Sequence, residues 1–132
     1  MKIIVKQGIR HILIGGFADL IDIGVFNLLF FIYPAQIIVK AISFLFAACI
    51  KYFGNKIWVF DKNDGHSIKE LGQFAFITAI GLLINVVSFY CLSAVAPAKV
   101  DATIWREVSV IFAILITATW NFFGYKFIVF KK

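Results

Sequence analysis

Two carboxylates, Asp19 and Asp22, stand inside an apolar run that reaches from about Gln7 to Tyr33. Three positions apart on a helix, they share one face. Asp22 lies about 18 Å along that helix from Arg10, near the middle of a bilayer if the run crosses one. Insertion scales put a mid-membrane Asp at about 2.5–3.5 kcal/mol. Such residues face a bundle interior or water, and they usually pair. Candidate partners are Lys40 and Lys51 in the second apolar run, and Arg106 in the outer half of the fourth. Two readings follow: a static ion pair that locks two helices, or a polar path for a sugar or a coupling proton.

Cations also gather at predicted helix ends: Arg10, Lys51, Lys56, Lys69 and Lys126. Basic pockets between helices at that depth bind anionic headgroups, although ordinary positive-inside charge gives the same pattern. A specific phosphate site would use Arg10, Lys51, Lys56 and Lys126, with Lys40 and Arg106 receiving the headgroup on the far side. Asn85 and Asn121 are uncharged polar groups within the runs. They bond between helices or to sugar hydroxyls, the first being the more ordinary use. Imidazole is the side chain able to switch charge near neutrality, but a lone interfacial His such as His11 is commonly inert. His66 falls in a loop. Cys49 and Cys91 lie in separate apolar runs with no CxxC or Cys/His cluster, and read as packing residues. No nucleophile–base pair, metal cluster or phosphate loop is present, and the loops are too short to build one. The expectation is therefore no enzyme, no cofactor and no metal.

Composition dictates the elements that must hold these groups. The 132 residues are 62% hydrophobic and 15% charged, against about 45–50% and about 25% in a soluble domain. So little polar surface cannot cover a water-soluble globule of this size. The net charge of +6 reads as membrane-surface charge and not as a nucleic-acid patch. Four helical spans are predicted, over about Gln7–Tyr33, Ala35–Trp58, Ser67–Ala96 and Asp101–Phe127, all in one membrane domain of residues 1–132. The runs are long and continuous, which favours helices over barrel strands. The second has a short uncharged centre, Ala41–Ile50, and crosses only if Lys40 and Lys51 snorkel toward opposite faces. Pro34, the turn Asp61–His66 with Gly65, and Pro97–Val100 separate the spans; Ser67 caps the third, with Glu70 three residues on. The first run is too long, and too acidic at Asp19 and Asp22, for a signal peptide, and reads as an uncleaved span.

Ten of the Lys and Arg residues fall on one side of this arrangement and three (Lys40, Lys99, Arg106) on the other. The richer side, with both termini, is predicted to be cytoplasmic. Tyr33, Trp58 and Trp105 fit interfacial belts, whereas Trp120 does not. The chain also repeats. Lys51-Tyr-Phe-Gly-Asn-Lys-Ile-Trp-Val-Phe60 returns as Asn121-Phe-Phe-Gly-Tyr-Lys-Phe-Ile-Val-Phe130. Upstream, Arg10-His11 aligns with Gln73-Phe74 and Asp22 with Asn85. Each copy closes a hairpin, giving two tandem units, about 7–60 and 67–130. Two crossings per unit give both copies the same orientation, a parallel repeat. Small residues at helical spacing (Ser43 and Ala47, Ala75 and Ala79, Ala113 and Thr117) suit close helix contacts.

Gly15-Gly16 after a basic start, Asp22, the two hairpins and the doubled Asn-Phe-x-x-x-Arg-x-Trp-Val-Phe-like endings resemble the GtrA-like family, over about Gln7–Phe130. The resemblance implies a small four-helix protein of the bacterial cytoplasmic membrane that translocates polyprenyl-phosphate-linked sugars for surface polysaccharide glycosylation. It implies a sugar lipid and membrane lipids as partners. Lys51 stands where the pattern has Asn, Lys56 and Lys126 where it has Arg, and Ile128 where it has Trp. Lys presents a point charge and lacks Arg's two-pronged contact with phosphate. Two other classes fit the spans. One is a subunit that binds polyprenyl phosphate for a membrane glycosyltransferase without moving it. The other is a small multidrug-type proton-coupled exporter acting as a homo-oligomer, whose cationic substrates the basic mouth would repel.

Overall fold

Proline has no backbone N–H and pushes the residue before it out of the helical region, so the first helix must end beside Pro34. Helix α1 runs Lys2–Ile32, and Tyr33 is extended (φ −139°, ψ 99°). The computed structural model describes residues 1–65 and 67–131, with all their side chains except those of residues 36 and 37. His66 and Lys132, placed above in a loop and in the basic cytoplasmic set, lie outside the described residues. After the Pro34 turn, α2 (Gln36–Phe53) continues without a break into a wider π-helical segment, π1 (Gly54–Val59). Next come α3 (Ile68–Ala94), α4 (Ala102–Gly124) and a second wide segment, π2 (Tyr125–Val129).

The polar connections supply the caps. Ser67 Oγ accepts from Glu70 N at 3.1 Å, as the sequence predicts. Asp101 accepts from Thr103 N at 2.9 Å and Ile104 N at 3.3 Å, satisfying two of the free amides that open α4. Gly65 sits at φ 83°, where a side chain would be strained. Four helical stretches, Lys2–Ile32, Ile38–Val59, Ile68–Ala94 and Ala102–Val129, are long and apolar enough to cross a membrane. The first starts five residues earlier than its sequence suggests.

The chain divides into two compact units between Asp64 and Gly65. In the first, α1 packs on α2 and π1. Val39, Ser43 and Ala47 recur every fourth residue on α2 and are buried, as is Ala18 on α1. In the second, α3 packs on α4 and π2. Ser109 and Ala113 are buried on α4, with Phe74, Ile77 and Gly81 buried on α3. Small side chains let the backbones approach where no hydrophobic drive pulls them together. Ala75 and Ala79, predicted as such a contact, lie instead on the exposed face of α3. Cys49 and Cys91 are likewise exposed and unbridged, not packed inside.

The repeated stretch makes the same contacts in each unit. A Cβ on Gly54 would lie 2.7 Å from Ile14 Cδ1 and 2.8 Å from its Cγ2; one on Gly124 would lie 2.5 Å from Ile77 Cγ2. Phe60 N donates to Asn55 O at 2.9 Å and Phe130 N to Tyr125 O at 2.7 Å, closing the wide turns. Val59, Phe60, Val129 and Phe130 are all buried. Gly54→Ala and Gly124→Ala should each lower stability by about 1–3 kcal/mol, the cost of overpacking. Gly8→Ala, with open space at its Cβ, should do much less. Thermal unfolding in detergent measures this. The Gly54→Ala loss should shrink in an Ile14→Ala background if the Gly54–Ile14 contact is responsible.

Candidate functional site

The first unit gives the partners of Asp19 and Asp22, the two carboxylates of α1. Lys40 Nζ donates to both oxygens of Asp22, at 3.0 and 2.9 Å, and Lys51 Nζ lies 3.0 Å from Asp19 Oδ1. Along α2 the two lysines are eleven residues, about 16 Å, apart; the carboxylates they meet are three residues, about 4.5 Å, apart on α1. Both ammonium groups therefore converge on the middle of the hairpin. Where the sequence has these lysines reach toward opposite faces, each ammonium meets a carboxylate of α1. The result is a neutral set of four charges, two of each sign. It is open at its edge: Lys40 is 56% and Asp19 66% exposed, against 16% for Asp22.

The other cations are held differently. Arg10 Nη1 donates to Trp58 O at 2.8 Å, and its guanidinium sits 5.1 Å from the centroid of the Trp58 ring. Trp58 O lies at the end of a helix, where carbonyls lack a backbone donor. Lys56 is only 1% exposed. Its ammonium lies 3.8 Å from Asp64 and 5.8 Å from the centroid of the Tyr52 ring, so it is buried and not presented at an open basic mouth. Asp64 also lies 3.6 Å from Lys62. Lys126 is half-buried in π2, 5.9 Å from the Phe127 ring centroid. Arg106 is exposed and 3.5 Å from Glu107 in the opening turns of α4. The structure thus brings Asp19, Asp22, Lys40 and Lys51 together, and in the first unit keeps Arg10 and Lys56 on separate partners.

His11 is buried, and its Nδ1 is 2.7 Å from Asn55 Oδ1. Asn55 Nδ2 donates to Lys51 O at 2.6 Å. That leaves Asn55 Oδ1 as the acceptor, so His11 Nδ1 carries the proton. The His11–Asn55 pair, missed as an isolated interfacial histidine, was signalled by the repeat. Its matching positions are Phe74 and Tyr125, whose rings stack at 4.8 Å; Tyr125 Oη is 2.6 Å from Thr78 Oγ1.

Asn121, the counterpart of Lys51, sits against Gly81 with its Oδ1 buried and without a hydrogen-bond partner. Asn85 is half-buried on α3. Trp120 Nε1 donates to Ile77 O at 3.0 Å, which accounts for a tryptophan outside the interfacial belts. No group of three or more His, Cys, Asp or Glu suited to a metal ion occurs among the described residues.

Compared with known families, residues 10–130 match one described as GtrA/DPMS, transmembrane domain. Comparison with curated proteins and with solved structures gave no match.

The pairing makes a signed prediction. Asp22→Asn or Lys40→Gln alone leaves one charge uncompensated at a depth where it costs about 2.5–3.5 kcal/mol. The double variant leaves none. Each single change should lower thermal stability in bilayers by more than the double change does. A double variant as unstable as the sum of the singles would mean the two groups are not coupled.

Proposed function

Because the chain belongs to the GtrA/DPMS transmembrane-domain family, we propose that it is a flippase for polyprenyl-phosphate-linked sugar in the bacterial cytoplasmic membrane. It is a multi-pass membrane protein with four candidate spans. The observation that carries the reading is the open set of charges on the first unit. Asp19, Asp22 and Lys51 stand within their spans, Lys40 reaches Asp22 from near the start of its own, and the set is partly uncovered. Intramembrane charges of this kind mark ion and substrate pathways.

The chemistry suits the substrate class. A polyprenyl-phosphate sugar has an apolar tail that stays in lipid, one anionic phosphodiester and a polar sugar. The protein then has only to lower the cost of carrying the head through hydrocarbon. In this reading both termini are cytoplasmic, on the side rich in Lys and Arg. The two hairpins are tandem copies with one orientation. Arg10 and Lys126 attract the phosphate from the inner leaflet. Lys51 and then Lys40 receive it, and Arg106 stands at the outer end. Asn85 and Asn121 serve the sugar hydroxyls or the contact between helices. Lys56, enclosed with Asp64 and Tyr52, holds the end of the hairpin together rather than touching substrate. The protein supplies no covalent chemistry; a membrane glycosyltransferase uses the delivered sugar. A homo-oligomer encloses the exposed charges.

The test is exchange in sealed vesicles containing the purified chain and a polyprenyl-phosphate sugar labelled in one leaflet. A membrane-impermeant reagent reads the other leaflet. Exchange should exceed that of empty vesicles and fall at least about tenfold in Lys51→Gln, the loss of one charged hydrogen bond of about 1.5–3 kcal/mol. Binding without exchange would replace transport with presentation of the lipid to a transferase. Neither binding nor exchange, with pH-driven uptake of cationic dyes instead, would make the protein an exporter.

A further inference from the structure

We propose that Asp19 and Asp22 compete with the substrate's phosphate for Lys51 and Lys40, so that a phosphodiester binds together with a proton. The inference rests on the reading of these residues as the path for a phosphate-linked lipid, and adds what energises and times that path.

The geometry supplies three reasons. First, each ammonium is already occupied: Lys40 by both oxygens of Asp22, Lys51 by one oxygen of Asp19. An arriving phosphate competes with a carboxylate for the charge of the same ammonium. Second, other charged and titratable groups described in this unit have partners of their own. From α2 the carboxylates meet Lys40 and Lys51. Of the remaining charged or titratable groups nearby, Arg10 is on Trp58 O, Lys56 is near Asp64, and His11 is on Asn55. The four charges sum to zero. A singly charged phosphodiester therefore makes the site negative, with a carboxylate beside a phosphate in a low dielectric, where like charges are not both kept. Protonating the displaced carboxyl restores neutrality: two ammonium groups then face one carboxylate and one phosphate. The proton comes from water on the side the lipid enters and leaves on the side where the carboxylate recaptures its lysine. Third, the exposed edge at Asp19 and Lys40 lets an anion approach without unpacking the hairpin.

The second unit cannot do this. Asn85 and Asn121 stand at the positions matching Asp22 and Lys51, and an amide neither titrates nor attracts an anion as an ammonium does. Proton exchange is confined to the first hairpin, with Asp19 released as Lys51 takes the phosphate and Asp22 released as Lys40 does.

The test uses the full chain in detergent and a short-chain polyprenyl methyl phosphodiester, whose single charge does not change between about pH 5 and 8. Calorimetry in two buffers of different ionisation enthalpy counts the protons exchanged on binding. Uptake should approach one proton per ligand. Affinity should accordingly weaken as pH rises, by up to about tenfold per pH unit. Asp19→Asn and Asp22→Asn should each bind more tightly than the unaltered chain at about pH 8. The double variant should bind without proton uptake. Asp19→Glu and Asp22→Glu, which keep the carboxyl, should retain it. Binding with no proton uptake, and no tightening in either Asn variant, would overturn the competition while leaving the flippase reading intact. No binding at any pH, in any variant, would overturn both.

Discussion

Hydrocarbon donates no hydrogen bond and screens no charge, so a polar group taken into it must find its partner within the protein. In the first unit that constraint turns two lysines inward. Their stems are long enough to reach either interface, yet both end on carboxylates near the middle of the hairpin. The same constraint is met by other polar groups in each unit, though not by Asn121 Oδ1. Arg10 takes Trp58 O, Asn55 takes Lys51 O, Trp105 takes Leu92 O, and Trp120 takes Ile77 O. The Trp58 and Leu92 carbonyls lie in terminal turns, and Leu92 O accepts from Val95 N at 3.3 Å as well as from Trp105. Side chains thus add to the backbone ladder.

The wide turns at Gly54–Val59 and Tyr125–Val129 belong to the scaffold. A π segment rotates the residues beyond it relative to the helix before it, and here it carries Val59–Phe60 and Val129–Phe130 into the interior. The glycine at each junction keeps ordinary helical angles, φ −62° and ψ −44°. It is needed for space, not for conformational freedom: Ile14 and Ile77 occupy the place of its side chain. What the two copies share is packing. Where they differ, polar chemistry appears, and it appears in the first unit: Asp22 against Asn85, Lys51 against Asn121, His11 and Asn55 against Phe74 and Tyr125.

This division explains what was legible in the sequence. Run length, Pro34, Gly65 and the Ser67 cap are local signals, and they located the four helices to within a few residues, apart from the early start of α1. Asp19 and Asp22 were legible as one polar face because a spacing of three places them there. Their partners were not, since a lysine stem reaches about one turn either way and spacing alone leaves Lys40, Lys51 and Arg106 equivalent. Lys56 read as an exposed cation because its sequence neighbours are those of a helix end. Only the π turn, which no residue type announces, carries it inside. The Ala75–Ala79 pair failed for a related reason: small residues mark a possible contact face, but Phe74, Ile77 and Gly81 set the rotation of α3.

A charge pair in a membrane meets opposing demands if it is also to carry an anion. It must be close enough to offset the cost of inserting its members, about 2.5–3.5 kcal/mol each. It must also remain displaceable by a ligand whose phosphate forms charged hydrogen bonds of about 1.5–3 kcal/mol each. Contacts of 2.9–3.0 Å meet the first demand. The second is met by leaving the edge open, so that neither lysine is sealed behind its carboxylate. Complete burial would strengthen the lock and raise the cost of exchange, and wider separation would leave four unpaired charges in the span. The first hairpin stands between those limits. On α3 of the second, no charge follows Glu70.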